Sequence, residues 1–290
     1  MAFKSGFVSI LGEPNVGKST LLNAFLGQKL SIITPKAQTT RHRILGIMNG
    51  DDFQIVFSDT PGVIKPHYKL HESMMKAVES AREDADLILL MIDSTLPAPD
   101  LSIYEQIKEN NIPVIVVINK CDQSDKARME AAIQPFRDLP GISEIVEISA
   151  LHCINTVFLL GRILEFLPEH PAYYPEDELS DKNIRFFVSE IIREKIMLLY
   201  HQEIPYSAEV FMEEYKEEET IDRIKAIIFV SRESQKAILI GHQGKAIKTL
   251  GTEARKDIEE FVGKHVFLEL SVKISKDWRD NELQLKRFGY

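Results

Sequence analysis

Residues Gly12-Glu13-Pro14-Asn15-Val16-Gly17-Lys18-Ser19-Thr20 follow directly on an apolar run at 7–11 and lead at once into a helical pattern at 18–26. No other stretch restricts the fold as much. It matches G-x-x-x-x-G-K-[ST] in the strand, loop, helix context that gives the pattern its meaning. Gly12 and Gly17 let the loop turn its backbone N–H groups inward around phosphate oxygens, and the helix N-terminus adds partial positive charge. Lys18 is placed to reach the β- and γ-phosphates, and Ser19 to offer its hydroxyl to Mg²⁺. A chance glycine turn before a helix is the plain alternative, and the order of elements argues against it.

A phosphate loop of this kind needs a parallel sheet beneath it, and the patterning supplies one. Short β-branched runs at 7–11, 53–58, 87–92, 114–118 and 144–148 alternate with helical windows at 18–26, 68–83, 101–109, 126–136 and 156–166. Such alternation predicts βαβ units in a doubly wound, mostly parallel α/β sheet, with the ligand crevice at the carboxyl ends of the strands.

The polar boxes that close these strands extend the reading from phosphate to base. Asn119-Lys120-Cys121-Asp122 follows the run at 114–118. An aspartate there accepts both the N1–H and the exocyclic amine of guanine, a donor pair that adenine lacks, so Asp122 would select guanine. Asn119 would brace neighbouring loops, and Lys120 would cover the ring with its alkyl stem. Ser149-Ala150-Leu151 ends the next strand, and the Ala150 N–H is the candidate donor to the guanine O6. Asp59-Thr60-Pro61-Gly62 closes the run at 53–58; Asp59 would hold Mg²⁺ through water, and the Gly62 N–H would meet the γ-phosphate and report its loss as a moving loop. Gln38-Thr39-Thr40-Arg41-His42 suits a first switch, with Thr40 as the Mg²⁺ ligand and Thr39 its competitor. The expected catalytic set is Lys18, Thr40 and Gly62.

These boxes, in this order and near these spacings, resemble the translation-factor-related bacterial GTPases. In that group the resemblance assigns Asn15 a potassium ion bridging the phosphates and the first switch, beside the Mg²⁺ that accompanies GTP or GDP. Val63 follows Gly62 where the Ras-like pattern has a catalytic glutamine. Without a side chain to orient water, hydrolysis rests on positioning and charge neutralisation, which predicts slow intrinsic turnover and stimulation by a partner.

The chain is 290 residues long, which favours two domains. Hydrophobic residues at 44% and charged residues at 27% exclude a wholly disordered or collagen-like chain. The apolar runs are too short to cross a bilayer. Cys121 and Cys153 stand apart from any Cys-x-x-Cys, and they read as reduced cytosolic thiols. The stretch 167–180, with three prolines and several acids, marks the boundary. The expected division is 1–170 for the nucleotide domain, 171–183 for a linker, and 184–290 for a second domain with a C-terminal extension. Charge divides in the same way: the formal net charge of −9 hides a segment, 221–290, with 14 Lys+Arg against 10 Asp+Glu. That segment is where an anionic partner would sit, although a surplus of this size is also ordinary scatter.

After the linker come an apolar helical face at 184–200, strands at 208–215 and 223–231, then Gly241-His242-Gln243-Gly244 between two helical segments, and a strand at 266–274. Lys236, Lys245 and Lys248 surround the glycine loop. A G-x-x-G between helices lets a nucleic-acid backbone approach closely, because the glycines remove Cβ atoms that would block phosphates; alone it is usually just a helix–helix turn. His242 and Gln243 form the tip. Trp278, between Lys276 and Arg279, reads equally as a base-stacking residue or as a packed aromatic.

The order of these elements is that of a type II (prokaryotic) KH domain, a smaller α+β unit, and with the GTPase half it extends the resemblance over nearly the whole chain, to the Era family. The resemblance implies a GTP-hydrolysing switch that binds the 3′ end of 16S ribosomal RNA and assists assembly of the small ribosomal subunit. A cytoplasmic monomer is the expectation, and the resemblance adds peripheral contact at the inner face of the cell membrane. The rival reading is a membrane-associated regulatory GTPase whose C-terminal domain docks protein or lipid. Against it, no Lys/Arg-rich amphipathic helix with opposing Trp or Phe is visible.

Overall fold

A computed structural model describes residues 2–97, 99–108 and 111–290. The chain divides into two units, one of Met1–Lys65 with Met74–Asp181, the other of Pro66–Ser73 with Lys182–Tyr290. No helix among the described residues is long and apolar enough to cross a membrane.

The first unit runs β1 (Lys4–Gly12), α1 (Lys18–Leu26), β2 (Ile44–Gly50), β3 (Phe53–Asp59), the part of α2 (Lys69–Glu83) from Met74 on, β4 (Leu87–Asp93), α3 (Ser102–Ile107), β5 (Val114–Asn119), α4 (Lys126–Ile133), β6 (Ile142–Glu147) and α5 (Thr156–Phe166). Its six strands lie in the order β2-β3-β1-β4-β5-β6. Every pairing is parallel except β2 with β3. β4 and β5 are buried along their whole length, as their unbroken aliphatic runs require of strands covered on both faces. The chain leaves β1 towards β3 on one side and returns to β4 on the other, so the order reverses at β1. The crevice therefore opens at the carboxyl ends of β1 and β4, where the phosphate loop begins.

The structure departs from the sequence expectation in several places in this unit. β2 is an additional strand, paired antiparallel to β3 through a tight turn at Asp51 and Asp52. The helix expected over 126–136 ends at Ile133, because Pro135 cannot donate to the helical ladder, and a 3₁₀ turn over Gln134–Phe136 follows. The window 101–109 yields only α3, and its last residue, Glu109, lies outside the described residues.

The proline-rich segment expected to be the linker runs strapped along the outer edge of β2. Ile47 N–H donates to Leu179 O at 2.9 Å, Leu45 N–H to Asp181 Oδ1 at 3.1 Å, and Ser180 Oγ–H to Leu45 O at 2.6 Å. Gln54 fastens the upstream end, accepting from the Tyr173 and Tyr174 N–H groups and donating to Tyr174 O. The Tyr174 ring packs against Leu45, Ile47 and Val56.

The second unit contains α6 (Ile184–Leu199), α7 (Ile204–Ser207), β7 (Glu209–Lys216), β8 (Ile221–Val230), α8 (Glu233–Ile240), α9 (Lys245–Val262), β9 (His265–Ile274) and α10 (Glu282–Arg287). Asn183 caps α6 by accepting the Phe186 N–H. β8 lies between antiparallel β7 and parallel β9. One face of this sheet gives Ile224, Ala226 and Ile228 to a core completed by Ile192 and Ile196 of α6 and by Leu250, Ala254 and Ile258 of α9. α7 is the element the sequence does not announce, being a single turn.

Candidate nucleotide site and glycine loop

The loop between β1 and α1 lines a cavity of about 500 Å³ together with the first switch segment and the turns after β5 and β6. Gly17 adopts φ 102°, and a Cβ there would stand 2.3 Å from Asn119 Nδ2. Both the backbone and the close approach demand glycine. A Cβ on Gly62 would stand 2.6 Å from Pro14 N, so the loop after β3 lies directly against the phosphate loop.

Lys18 is buried at the floor, and its ammonium donates to Gly12 O at 3.1 Å and Glu13 O at 2.8 Å. Burial pulls it down to about 8, while the Asp59 and Glu13 carboxylates oppose that shift. Beside it three oxygen donors from three segments converge. Ser19 Oγ donates to Asp59 Oδ2 at 2.6 Å and lies 2.9 Å from Thr40 Oγ1. Asp59 is fully buried, which pushes its carboxyl up, and its Oδ1 is a buried acceptor without a hydrogen-bond partner. A hard divalent cation with oxygen ligands fits this set: two hydroxyls and a carboxylate, one of whose oxygens is unsatisfied. Thr39 also lines the cavity, but its hydroxyl is bonded to Thr34 Oγ1 and to Lys36 O, and it is the Thr40 hydroxyl that reaches Ser19.

Asn119 ties the far wall together, donating Nδ2–H to Val16 O at 2.7 Å and accepting the Ala150 N–H at Oδ1 at 2.9 Å. The Ala150 N–H, the expected donor to the guanine O6, is here engaged by Asn119, and the residue is buried outside the cavity lining. Lys120, Asp122, Ser149 and Leu151 do line the cavity. The Ser149 hydroxyl, first among several partners, holds the Asp122 carboxyl below the usual carboxylate range, so it is an acceptor at neutral pH. Of the other expected residues, Pro14, Asn15 and Thr20 reach the cavity, whereas Gly12, Glu13, Val16, Thr60 and Pro61 shape it from behind. Thr60 does so by donating Oγ1–H to Ile10 O. The Val63 side chain packs towards the apolar core under α3 and α4.

Other contributors were not foreseen. Ile32 and Ile33 give the cavity an apolar rim ahead of the first switch. Asp93, at the end of β4, binds Lys120 Nζ at 2.5 Å.

In the second unit Gly241 and Gly244 both take positive φ, 71° and 73°, at the two ends of a short turn that exposes His242 and Gln243. Lys245 and Lys248 are exposed beside it, and Lys236 is half-buried. Ile238 is 49% exposed next to them, while Leu250 is core. Trp278 does not join this surface, which corrects its placement among the RNA-binding candidates. It is 0% exposed, its indole N–H donates to Ser207 O at 2.9 Å, and its ring meets Phe288 edge-on at 5.6 Å. Apolar burial with its one donor satisfied leaves no face for a base.

A family described as 50S ribosome-binding GTPases matches residues 7–120, and the KH domain family matches residues 203–279. The chain is 44% identical over 292 residues to a GTPase Era of Syntrophus aciditrophicus, covering 99% of this chain and 95% of that one. To a GTPase Era of Clostridium kluyveri it is 44% identical, with 99% of each covered. A crystal structure of Era with MgGDPNP and nucleotides 1506–1542 of 16S ribosomal RNA superposes with a TM-score of 0.94 at 43% identity, covering 99% of both chains. An Aquifex aeolicus Era variant bound to GDP and AlF4⁻ superposes with a TM-score of 0.95 at 43% identity, again over 99% of both. With its phosphate loop, its base turn and its KH unit matched from end to end, the chain belongs to the Era family of GTPases.

Proposed function

We propose that this GTPase binds GTP with Mg²⁺ in the cavity of the first unit, hydrolyses it slowly, and uses the KH unit to hold the single-stranded 3′ end of 16S ribosomal RNA during assembly of the small ribosomal subunit. The observation that carries the reading is the convergence of Ser19, Thr40 and Asp59 beside Lys18, in a cavity whose far end is lined by Asp122. Support for the RNA comes from the exposed glycine loop with its lysines and from the Era complex with a 16S fragment.

In this reading the Lys18 ammonium exchanges its two carbonyl partners for phosphate oxygens, and the Gly62 N–H closes on the γ-phosphate. Ser19, Thr40 and, through water, the Asp59 carboxylate would hold the Mg²⁺, which would supply charge neutralisation at the phosphates. Asn15 donates Nδ2–H to Pro35 O, so it joins the phosphate loop to the first-switch segment, the two pieces between which the resemblance places a potassium ion. Val63 offers nothing to orient water, and turnover is accordingly slow. Membrane contact has no observation to carry it and forms no part of this reading.

The test is the affinity for a short strand matching the 3′ end of 16S ribosomal RNA, measured with GDP and with a non-hydrolysable GTP analogue. Tighter binding in one state, lost in the His242→Asp, Gln243→Asp double variant, is expected. Equal affinity in both states would reject the switch, and binding untouched by the double variant would reject the clamp.

A further inference from the structure

Asp93 ends β4 in register with Asn119 at the end of β5, so the parallel pairing alone brings it beside the base-reading turn. Its carboxylate is 8% exposed and has three donors. Thr95 N–H and Thr95 Oγ1–H meet Oδ1 at 2.9 and 2.6 Å, and Lys120 Nζ meets Oδ2 at 2.5 Å. The following residue adds two further ties to the same turn: Ser94 N–H donates to Asn119 O at 3.1 Å, and Ser94 Oγ lies 2.8 Å from Ser124 Oγ. Lys120 itself sits at φ 66°, and its side chain lines the cavity.

A lysine stem is flexible and gives up considerable rotamer freedom when it is laid against a ring. An ammonium clamped by a buried carboxylate has given up that freedom before the ligand arrives, which is how preorganisation gains affinity without a new contact. The stem then presents methylenes to the ring face while its charge stays paired.

We propose that Asp93 is a positioning residue for the guanine ring, acting through Lys120. Asp93 does not touch the nucleotide. It fixes the Lys120 stem along the cavity wall, so its contribution appears in binding and not in the chemical step. The proposal rests on the nucleotide reading of the cavity.

The experiment measures GDP affinity by calorimetry, and GTP turnover at saturation, for the full chain and for Asp93→Asn, Lys120→Met and the double variant. Asp93→Asn is expected to weaken GDP about tenfold, the scale of ordering one long side chain, with kcat unchanged. In the Lys120→Met background the same substitution should change affinity less than twofold, because the stem it served is no longer tethered. IDP, which lacks the exocyclic amine read by Asp122, should lose as much as GDP does. Should Asp93→Asn fail to fold, Asp93→Glu keeps the charge but displaces it by one methylene, and it should raise KM at constant kcat. Equal GDP affinity in Asp93→Asn, or equal losses in both backgrounds, overturns the proposal. A parent chain that binds no GDP would instead overturn the nucleotide reading beneath it.

Discussion

Two glycine loops, each opening a helix and each suited to phosphates, are built on opposite plans. The loop ahead of α1 is packed from behind: Gly17 faces Asn119, Gly62 presses on Pro14, and Lys18 is tied to carbonyls of its own loop. The loop ahead of α9 is more open: a Cβ on Gly244 would meet nothing within 4 Å, and one on Gly241 would meet Ala246 of the adjoining helix, at 2.6 Å. The first loop is a cast whose shape the rest of the unit dictates. The second is a platform that constrains only its own backbone and leaves the ligand to supply the remaining fit. Discrimination of one compact ligand suits the cast, and passage of a strand suits the platform.

Gly17→Ala probes the cast most severely. Strain at φ 102° adds to displacement of Asn119, and GDP affinity should fall by roughly a hundredfold or more, as calorimetry would read. A mild loss would mean that the loop adapts as the platform does. Next in size is Trp278→Ala, expected to destabilise the second unit by about 3–5 kcal/mol in chemical denaturation, with strand affinity of the folded fraction unchanged. A selective loss of strand affinity at intact stability would return Trp278 to the platform.

The third prediction uses the Lys18 ammonium, depressed to about 8 in the free protein. Bound phosphate favours the charged form, so below that pH affinity is flat. Above it the free lysine is neutral and must take up a proton to bind. GDP affinity should then fall by up to about tenfold per pH unit, accompanied by measurable proton uptake in buffers of different ionisation heat. Strand affinity should show no such break near that pH. Smallest is Gly244→Ala, where only the left-handed backbone resists a side chain: about 1 kcal/mol, seen as a few-fold weaker strand binding with the fold retained.

Much of this arrangement can be read along the chain because the chemistry is contiguous. The phosphate loop, Asp59-Thr60-Pro61-Gly62 and Asn119-Lys120-Cys121-Asp122 each sit at the end of a recognisable strand, and the sheet does no more than gather them. What escapes the reading depends on partners far away in sequence. Asp93 looks like any strand-ending aspartate until β4 and β5 pair. Trp278 carries basic neighbours that suggest a surface, yet Ser207 and Phe288 enclose it. β2 hides because Ile44–Gly50 contains two glycines and no alternation, and it is defined by its hairpin with β3. Pro-rich acidic composition marks a linker, and composition cannot show that the segment's backbone satisfies a neighbouring strand.

That strap decides where the first unit can be cut. The outer N–H groups of Leu45 and Ile47 are satisfied by Asp181 and Leu179, so a fragment ended at residue 170 would bare an apolar strand edge able to recruit the same edge of another copy. Ended after Asp181, the fragment carries its own closing selvage. For this sheet, resistance to fibrous self-association resides in a dozen residues that look, on paper, like the part most easily thrown away.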